Sequence, residues 1–583
     1  MNTKKRILAV CMAAALAVSV MACKGGGNDS SSASTPSDSS KTDSSGTSDS
    51  STAPNTGDVV KLQVFSMPAN TSGEQSGWWV DVLKEKVGVT IELLPSGDQG
   101  EQKLQTLMAG GELPDIVVFK DAKQVENAVA GDMLLAYDDY KDQLPNLFAN
   151  AASSLQYYAD NVSNGTGKSY SVGNSISSAY AEKGGLNFGP SLRYDIYKQV
   201  GSPAIPTMED YLTVTQKMQE ALPTNAEGQK VYPFTWWTDW DKYTAHPAVD
   251  FANTIGTDFI YDFLEVDYAK NKELRSILDE GSAYLRGLKF GFTANQMGLV
   301  DPDSLSQRYE DSLNKGTSGR TLFSWWTWGY GNFNSPENTE QGVGFAVVPS
   351  QDALVMQAGL SPTGSSWSWS VSKATKYVDK CMAYVDFMYS FDGLMTLMNG
   401  PQGVIWDVND KGEPYILEEG YPYITDGSKE LPAGGKLGDG LNVVNSFGLD
   451  GTTVNPTFGV PLSNGFWTKP DYAPADTKLQ DMWQEDFGAE DQVEYYRKNN
   501  LVAYRDYAPL NPVTDDIEQL SARVGDVVKT ESWKMIFAKD EAEYESIKNA
   551  MIEKANGIGL QEIIDWAKTA YTEALELGSK YTK

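Results

Sequence analysis

The sequence is short of the side chains on which most enzyme chemistry depends. Its 583 residues include one histidine, His246, and three cysteines. A Ser-His-Asp triad would need that histidine, and no G-x-S-x-G nucleophile elbow is present. The H-E-x-x-H, CxxC, Walker A and GxGxxG patterns are absent as well. These absences argue against an enzyme, against a metal site and against a cofactor, so we predict none of the three.

Positive charge is also scarce. Lysine and arginine number 47 against 78 aspartates and glutamates, which gives a formal net charge of −31. A surface of that sign repels phosphate backbones, so nucleic acid is not an expected partner, and an anionic ligand is disfavoured. By contrast, 41% of the residues are hydrophobic and 11% are aromatic. That is enough to pack the cores of the two or more domains that this length predicts.

The one long apolar run lies at the N-terminus. Three basic residues, 4–6, precede a mainly apolar stretch of 14 residues, 7–20. As a helix it would reach about 21 Å, too short to span a bilayer comfortably. The motif VMAC at 20–23 follows, and it resembles the lipobox of bacterial lipoproteins. We predict a signal peptide over 1–22, lipidation of Cys23, and a protein held by its lipid anchor at the extracellular face of the cell membrane.

A polar segment follows the predicted lipidation site. Residues 23–58 comprise Cys23 and a stretch of Ser, Asp, Thr, Gly and Pro with almost nothing apolar. We predict a disordered tether with an end-to-end distance of about 30–35 Å. Because Cys11 leaves with the signal peptide and Cys23 carries lipid, Cys381 is the one thiol left and no intramolecular disulfide can form. Its helical spacing from neighbouring apolar residues predicts a buried, unreactive thiol.

The globular body begins near Val59 with alternating strand and helix patterns. KLQVFSM (61–67), VTIELLP (89–95) and DIVVF (115–119) are strand-like, and WWVDVLKEKVG and EQKLQTLMAGG between them are helix-like. This βαβαβ order predicts a parallel, doubly wound α/β sheet. Helical patterns dominate 192–317 and 513–578, and a strand pattern returns at 343–349.

Six stretches along the body resemble one family when they are read in order. The first runs from KLQVFSM to DIVVF, and the others are SLRYDIYKQVGSPAIPTMEDYL, TLFSWWTWG, VGFAVVPS, WSVSKATKYVDKCMAYVDFMYSFDGLMTLMNGPQGVIWDVNDKGEPY and ESWKMIFAKDEAEYESIKNAMIEKANGIGLQEIIDWAKTAYTEAL. They resemble extracellular solute-binding proteins of family 1, the carbohydrate-type receptors of ABC importers, and especially the large lipoprotein receptors of Firmicutes. The resemblance covers essentially all of 59–583.

The resemblance implies a two-lobed, periplasmic-binding-protein-like (type II) α/β fold with a hinge between the lobes and a helix-rich C-terminus. We expect 59–190 to form the first part of lobe 1 and 191–318 the first part of lobe 2. We expect 319–355 to return to lobe 1, and 356–583 to hold the remainder of lobe 2 and the C-terminal helices. The resemblance also implies an oligosaccharide as ligand and ABC transporter permease subunits as partners, and we expect a monomer.

Tryptophans are clustered in this chain. Ten of the fifteen fall in four groups, at 78–79, 236–240, 325–328 and 367–369. An indole has a flat apolar face and one N–H donor, which suits the C–H face of a sugar ring. Strand alternation in FSWWTW places Trp326 and Trp328 on one face and assigns Trp325 to the core. The residues that we predict to stack on a sugar are Trp79, Trp236, Trp326, Trp328 and Trp367.

Polar side chains near these groups are candidates for bonding sugar hydroxyls. Asp239 is the predicted acceptor, and the further candidates are Asp241, Asn332 and Gln402. Two alternatives remain open at this point. Among 78 acidic residues some pair will lie at glycosidase spacing, so the protein could be a surface glycoside hydrolase. It could also be a polysaccharide-binding lipoprotein with no role in transport.

One loop raises the question of calcium. DVNDKGEPYILE places Asp407, Asn409, Gly412 and Glu418 at positions 1, 3, 6 and 12 of an EF-hand pattern. Lys411 occupies a position that needs an oxygen ligand, which weakens that interpretation. The alternative is a β-hairpin whose turn is NDKG, and we predict the hairpin.

Overall fold

The start of the body forms the parallel sheet that the sequence predicts. The computed structural model describes residues 57–69, 71–94, 100–177, 185–365, 367–470, 472 and 475–582, so the predicted signal peptide, Cys23 and the tether up to residue 56 lie outside the described residues. The elements of 57–177 are β1 (Val60–Ser66), β2 (Gly73–Glu74), α1 (Trp78–Lys86), β3 (Val89–Leu94), α2 (Gly100–Gly110), β4 (Ile116–Phe119), α3 (Ala122–Ala130), α4 (Pro145–Asn150), α5 (Ala152–Asn161) and β5 (Val172–Gly173).

Strand β1 lies between β3 and β4 and pairs in parallel with both. Burial explains the composition of these strands. β3 alternates between buried and half-buried residues, whereas all four residues of β4 are buried. A strand covered on both faces reads as a continuous apolar run, as IVVF does. The predicted βαβαβ unit is therefore confirmed.

The second segment, 185–357, builds a separate and mainly antiparallel core. Its elements are β6 (Phe188–Arg193), α6 (Tyr194–Gln199), α7 (Asp210–Ala221), α8 (His246–Thr254), β7 (Thr257–Ile260), β8 (Leu264–Asp267), β9 (Glu273–Ser276), α9 (Ala283–Gln296), α10 (Tyr309–Thr317), β10 (Phe323–Trp326), α11 (Pro336–Glu340), β11 (Phe345–Val347) and β12 (Val355–Gln357). Strand β6 lies between β10 and β11 and is antiparallel to both, while β7, β8 and β9 form a second antiparallel sheet.

The third segment, 367–467, returns to the first sheet. Its elements are β13 (Ser368–Val371), α12 (Val378–Met388), α13 (Phe391–Asn399), β14 (Trp406–Val408), β15 (Pro414–Ile416), α14 (Tyr421–Thr425), α15 (Asp439–Asn442), β16 (Val454–Asn455) and β17 (Val460–Pro461). Strand β13 runs antiparallel between β4 and β5, and the sheet order is β2-β3-β1-β4-β13-β5.

The path of the chain between the sheets differs from the expectation on two points. The sequence predicts that 319–355 returns to lobe 1, but β10 and β11 both pair with β6 of the second segment. The return is made instead by β13, whose four residues are all buried. A strand does form within VGFAVVP, as the sequence predicts. The strand that it pairs with is determined by tertiary packing, and the local sequence pattern does not identify that partner. The sequence also assigns all of 356–583 to lobe 2, but 367–467 shares the sheet and the core of the first segment.

The fourth segment, 475–582, is mainly helical and packs on the second. Its elements are α16 (Lys478–Phe487), α17 (Gln492–Lys498), β18 (Val502–Tyr504), α18 (Asp515–Ile536), α19 (Glu541–Ile558) and α20 (Leu560–Gly578). Three acidic residues occupy the first turn of α18, where they complement the helix dipole. The predicted helix-rich C-terminus is confirmed. No helix in the described ranges is long and apolar enough to span a bilayer.

Two lobes follow from the way the cores divide. Segments 57–177 and 367–467 share their buried residues and form the first lobe, while 185–357 and 475–582 share a different core and form the second. The two-lobed α/β fold is therefore confirmed. Cys381 lies in the first core, where burial raises the pKa of its thiol to about 12, as an unreactive thiol requires.

The hairpin that the sequence predicts is present at the EF-hand-like loop. β14 and β15 pair antiparallel, with Trp406 opposite Ile416. Asn409 closes the turn, since its side-chain oxygen accepts the backbone N–H groups of Lys411 and Glu413 at 2.9 and 3.0 Å. The side-chain carboxylate of Asp407 likewise accepts a bond from Gln402 at 3.0 Å. The polar atoms of this loop therefore bond within the hairpin.

Candidate ligand-binding site

An exposed aromatic surface lies on the second lobe, where two loops meet the end of β10. Trp240 and Trp328 are 45% and 44% exposed, although tryptophan is usually the side chain with the most apolar area to bury. Their ring centroids are 6.3 Å apart and their planes are inclined by 41°. Trp326 stacks under Trp328 at 5.3 Å and 23°, and Tyr309 lies 4.6 Å from Trp240. We call these four residues the aromatic platform.

The geometry of β10 separates the tryptophans of the platform from those of the core. Trp325 is 1% exposed and packs edge-on against Phe323 at 4.6 Å and 82°. Trp326, on the other face, is 7% exposed because Trp328 covers it. The strand register shifts between Ser324 and Trp326, and the chain then turns, which carries Trp328 out of the sheet. The prediction that Trp325 belongs to the core is confirmed.

A buried layer supports the platform from below. Trp237 is 1% exposed and lies 5.3 Å from Trp326 and 5.1 Å from Trp240. The imidazole of His246, at the start of α8, stacks on Trp237 at 4.8 Å and 29° and also on Trp326 at 6.4 Å and 18°. Closely packed rings of this kind hold their neighbours in fixed rotamers. The exposed indoles therefore rest on a rigid support.

Polar groups border the platform. Asp239 is exposed, and its carboxylate accepts the backbone N–H of Tyr309 at 3.0 Å. The Arg308 guanidinium lies 3.7 Å from the same carboxylate and is largely solvated. Asn187 accepts the indole N–H of Trp328 at 2.8 Å. Flat apolar faces next to carboxylate, guanidinium and amide groups can bind a ligand that has both C–H faces and hydroxyl groups.

The platform lies near the two ends of the segment 185–357. Asn187, the partner of Trp328, is close to the point where the described chain resumes in the second lobe at residue 185. Gln357, at the end of β12 where the chain leaves that lobe, donates to the Gly185 carbonyl at 3.1 Å. The two ends of this segment are thus joined by a hydrogen bond, and Trp328 is bonded to a residue close to one of them.

Two of the predicted stacking residues lie in the cores. Trp79 is 2% exposed and stacks on Phe387 of the first lobe at 5.9 Å and 14°. Trp236 is 3% exposed and lies against Phe234 at 5.5 Å in the second lobe. Neither indole has a face open to solvent. In these positions Trp79 and Trp236 cannot stack on a sugar, contrary to the prediction from the sequence.

The other predicted residues are divided between the lobes. Trp326, Trp328 and Asp239 lie together at the platform. Trp367 is half-buried against the core of the first lobe, just before β13. Gln402 lies just before the first-lobe hairpin and donates to Asp407, Asn332 is exposed in a 3₁₀ turn after β10, and the carboxylate of Asp241 is buried.

Sequence reasoning missed several members of the site. Trp240 stands in one of the predicted tryptophan groups, but nothing in its neighbourhood distinguishes it from Trp236 as the exposed member. Tyr309, Arg308 and Asn187 carry no local signal, because they approach the platform from other loops. Asp239 and Tyr309, for example, are 70 residues apart in the chain.

The comparisons with known proteins agree with this two-lobed architecture. The family model described as bacterial extracellular solute-binding protein matches residues 78–406, which is more than half of the chain. The chain belongs to this family, as its sequence predicts. No curated protein matches it.

Solved structures share the fold at low sequence identity. One is an HMO-binding, ABC-transporter-associated solute-binding protein from Bifidobacterium longum infantis, with 16% identity, 88% of this chain and 99% of that chain covered, and a TM-score of 0.57. A second is the ABC-transporter substrate-binding protein FusA of S. pneumoniae in complex with kestose, with the same identity, coverage and TM-score. A third is the alginate-binding protein AlgQ2 without calcium ion, with 14% identity, 89% and 99% covered, and a TM-score of 0.55.

Proposed function

We propose that this protein is a lipid-anchored receptor that captures an oligosaccharide outside the cell and delivers it to the permease of an ABC transporter. The observation that carries the proposal is the aromatic platform, where Trp240 and Trp328 are nearly half exposed although they sit on a buried aromatic layer. Large apolar faces kept in water beside polar groups are typical of ligand-binding surfaces.

The shape of the platform favours a chain of sugars over a single ring. The two exposed indoles offer adjacent faces with centroids 6.3 Å apart and planes inclined by 41°. Each face can cover the C–H side of one ring, while Asp239 and Arg308 can accept from and donate to hydroxyl groups. The net charge of −31 favours a neutral ligand over an anionic one.

Two further observations support this function. Proteins of the same fold include an HMO-binding protein, an alginate-binding protein and FusA in complex with kestose. The platform also lies near the two ends of the segment 185–357, and we infer that a sugar bound there contacts both lobes and favours their closed arrangement. A closed form that differs from the open one is what a permease needs in order to recognise a loaded receptor.

The buried carboxylates beneath the platform support binding rather than hydrolysis. The Asp241 carboxylate is occupied by three hydrogen-bond donors from the protein. Asp250 is buried, and this burial, with the nearby charge of Asp241, raises the pKa of its carboxyl well above the usual range. Neither group faces solvent, where a glycosidic bond would have to lie.

Attachment to the membrane is part of the proposal and depends on the sequence. Cys23 follows a signal-peptide pattern, and 23–58 would place the lobes within reach of a membrane-embedded permease. The family is extracellular, in agreement with such a location.

The function can be tested on the purified body, 59–583. Neutral oligosaccharides of different length and linkage are titrated while tryptophan fluorescence and melting temperature are followed, with peptides as the control class. We expect at least one glycan to change both signals and no peptide to do so. A response to peptides alone would refute the sugar receptor. A reducing-end assay after prolonged incubation should show no turnover, whereas steady release of sugar would identify a hydrolase.

A further inference from the structure

The loop that carries Trp240 is held from below by one buried carboxylate. The side chain of Asp241 is 1% exposed, and its two oxygens accept three hydrogen bonds. Oδ1 accepts the backbone N–H of His246 at 2.9 Å and lies 3.1 Å from the Nδ1 of that residue. Oδ2 accepts the indole N–H of Trp533 at 2.5 Å. All of these donors belong to the protein, so Asp241 has no free oxygen to offer a sugar.

These bonds join three elements that are distant in the sequence. Asp241 lies in the loop before α8, His246 provides the first N–H group of α8, and Trp533 belongs to α18. A carboxylate at a helix N-terminus is favoured by the helix dipole, and hydrogen bonds to a charged acceptor are stronger than neutral ones. The loop that carries Trp240 is therefore hydrogen-bonded to α18, one of the long C-terminal helices.

His246 connects this anchor to the platform. One edge of its ring meets Asp241, and one face stacks on Trp237 at 4.8 Å. Trp237 in turn contacts Trp240 edge-on at 5.1 Å and Trp326 at 5.3 Å. A rotation of the imidazole would remove a surface on which Trp237 rests, and it would also disturb Trp326, which stacks with the same imidazole at 6.4 Å and 18°.

A second buried carboxylate lies one helical turn further along α8. Asp250 is 7% exposed, and its Oδ2 has no hydrogen-bond partner among the described residues. Burial, with the nearby charge of Asp241, raises the pKa of the Asp250 carboxyl well above the usual range. Asp241 differs from Asp250 in that both of its oxygens accept hydrogen bonds from the protein.

We propose that Asp241 is a positioning residue of the sugar site. Through His246 and Trp533 it holds Trp237 and the Trp240 loop in the arrangement that a sugar requires, and it does not contact the sugar. This role differs from that of a hydroxyl acceptor, for which the sequence makes Asp241 a candidate. The proposal rests on the proposed function for its ligand, but the arrangement of the indoles exists without any ligand and can be measured separately.

The test uses Asp241→Asn and Trp533→Phe, with Trp483→Phe as a matched control. Trp483 has the same exposure as Trp533, 6%, and belongs to the same core. Its indole N–H also bonds to a protein oxygen, the Val347 carbonyl at 2.6 Å, but it does not touch the anchor or the platform. Each protein is measured for its melting temperature, its near-ultraviolet circular dichroism without ligand, and its Kd for the best glycan of the panel.

We expect Asp241→Asn to change the circular dichroism of the ligand-free protein, although it removes no aromatic ring. Asp241→Asn and Trp533→Phe should each raise Kd about fivefold or more, as the loss of roughly one strong hydrogen bond would predict. Trp483→Phe should lower the melting temperature by a similar amount as Trp533→Phe and leave Kd within about twofold, the scatter of independent sites.

Two results would overturn the proposal. One is an equal change in Kd for Trp533→Phe and Trp483→Phe, because the effect would then come from lost stability alone. The other is an Asp241→Asn protein with wild-type circular dichroism and Kd. If Asp241→Asn does not fold, the comparison of the two Trp→Phe variants decides. If no glycan binds the wild-type protein, the proposed function fails, and the circular dichroism of Asp241→Asn still decides whether Asp241 positions the indoles.

Discussion

The most informative single substitution is Trp328→Ala. Its indole is 44% exposed, so about 110 Å² of a side chain of about 250 Å² faces water. A sugar ring that covers half of this area would bury about 55 Å². At about 25 cal/mol per Å² this contributes about 1.4 kcal/mol, a factor of about ten in Kd. Titration calorimetry with the best glycan of the panel should therefore show about a tenfold loss of affinity, and Trp240→Ala should behave similarly.

Trp325→Ala is the control for this prediction. Its indole is 1% exposed and packs between Phe323 and Phe290, so its loss leaves a cavity and should cost about 3–5 kcal/mol of unfolding free energy. Denaturant unfolding measures that cost, and the folded fraction should retain nearly wild-type Kd. Trp328→Ala should show the opposite pattern, with affinity lost and stability nearly retained. A Trp328→Ala protein with unchanged Kd would refute the assignment of the platform.

Three further predictions concern stability and location. Burial raises the pKa of Glu265 to about 7, above its ordinary value, so the native state holds this proton more tightly than the unfolded state. The stability that Glu265 contributes is present below about pH 4.5 and is lost as pH rises through 7. The melting temperature of Glu265→Gln should fall less than that of the wild type between pH 5 and pH 8, and parallel curves would contradict this assignment. Gly316→Ala should destabilise by about 1–3 kcal/mol in urea unfolding, because the added methyl group would overlap the ring of Tyr330, and a neutral result would show that this ring moves aside easily. Cys23→Ser should move the protein from the membrane fraction to the soluble fraction, and an unchanged membrane fraction would refute lipidation at this residue.

The pattern of the sequence predicts those parts of the structure that depend on local periodicity. The alternation in FSWWTW separates Trp325 from Trp326, because successive residues of a strand point to opposite faces. The strand and helix patterns of 61–119 follow one another in βαβαβ order, and this order indicates the parallel sheet.

Other features depend on distant segments and have no local signal. Trp79 follows a strand and a glycine, as a cleft residue could, but Phe387 of α12 covers its face. The neighbouring Trp78 donates its indole N–H to the Lys436 carbonyl at 3.1 Å, so a segment more than 350 residues away closes this side of α1. Similarly, SWSV at 368–371 is too short a run to show that it enters the first sheet. These partners are set by the tertiary structure.

The central claim is that an oligosaccharide lies on the aromatic platform at the junction of the lobes. The most direct test is a crystal structure of the body with the best glycan of the panel. The account predicts sugar rings stacked on Trp240 and Trp328, with hydroxyl groups bonded near Asp239 or Arg308. Density for the glycan at any other surface, with both indoles still exposed to solvent, would contradict it.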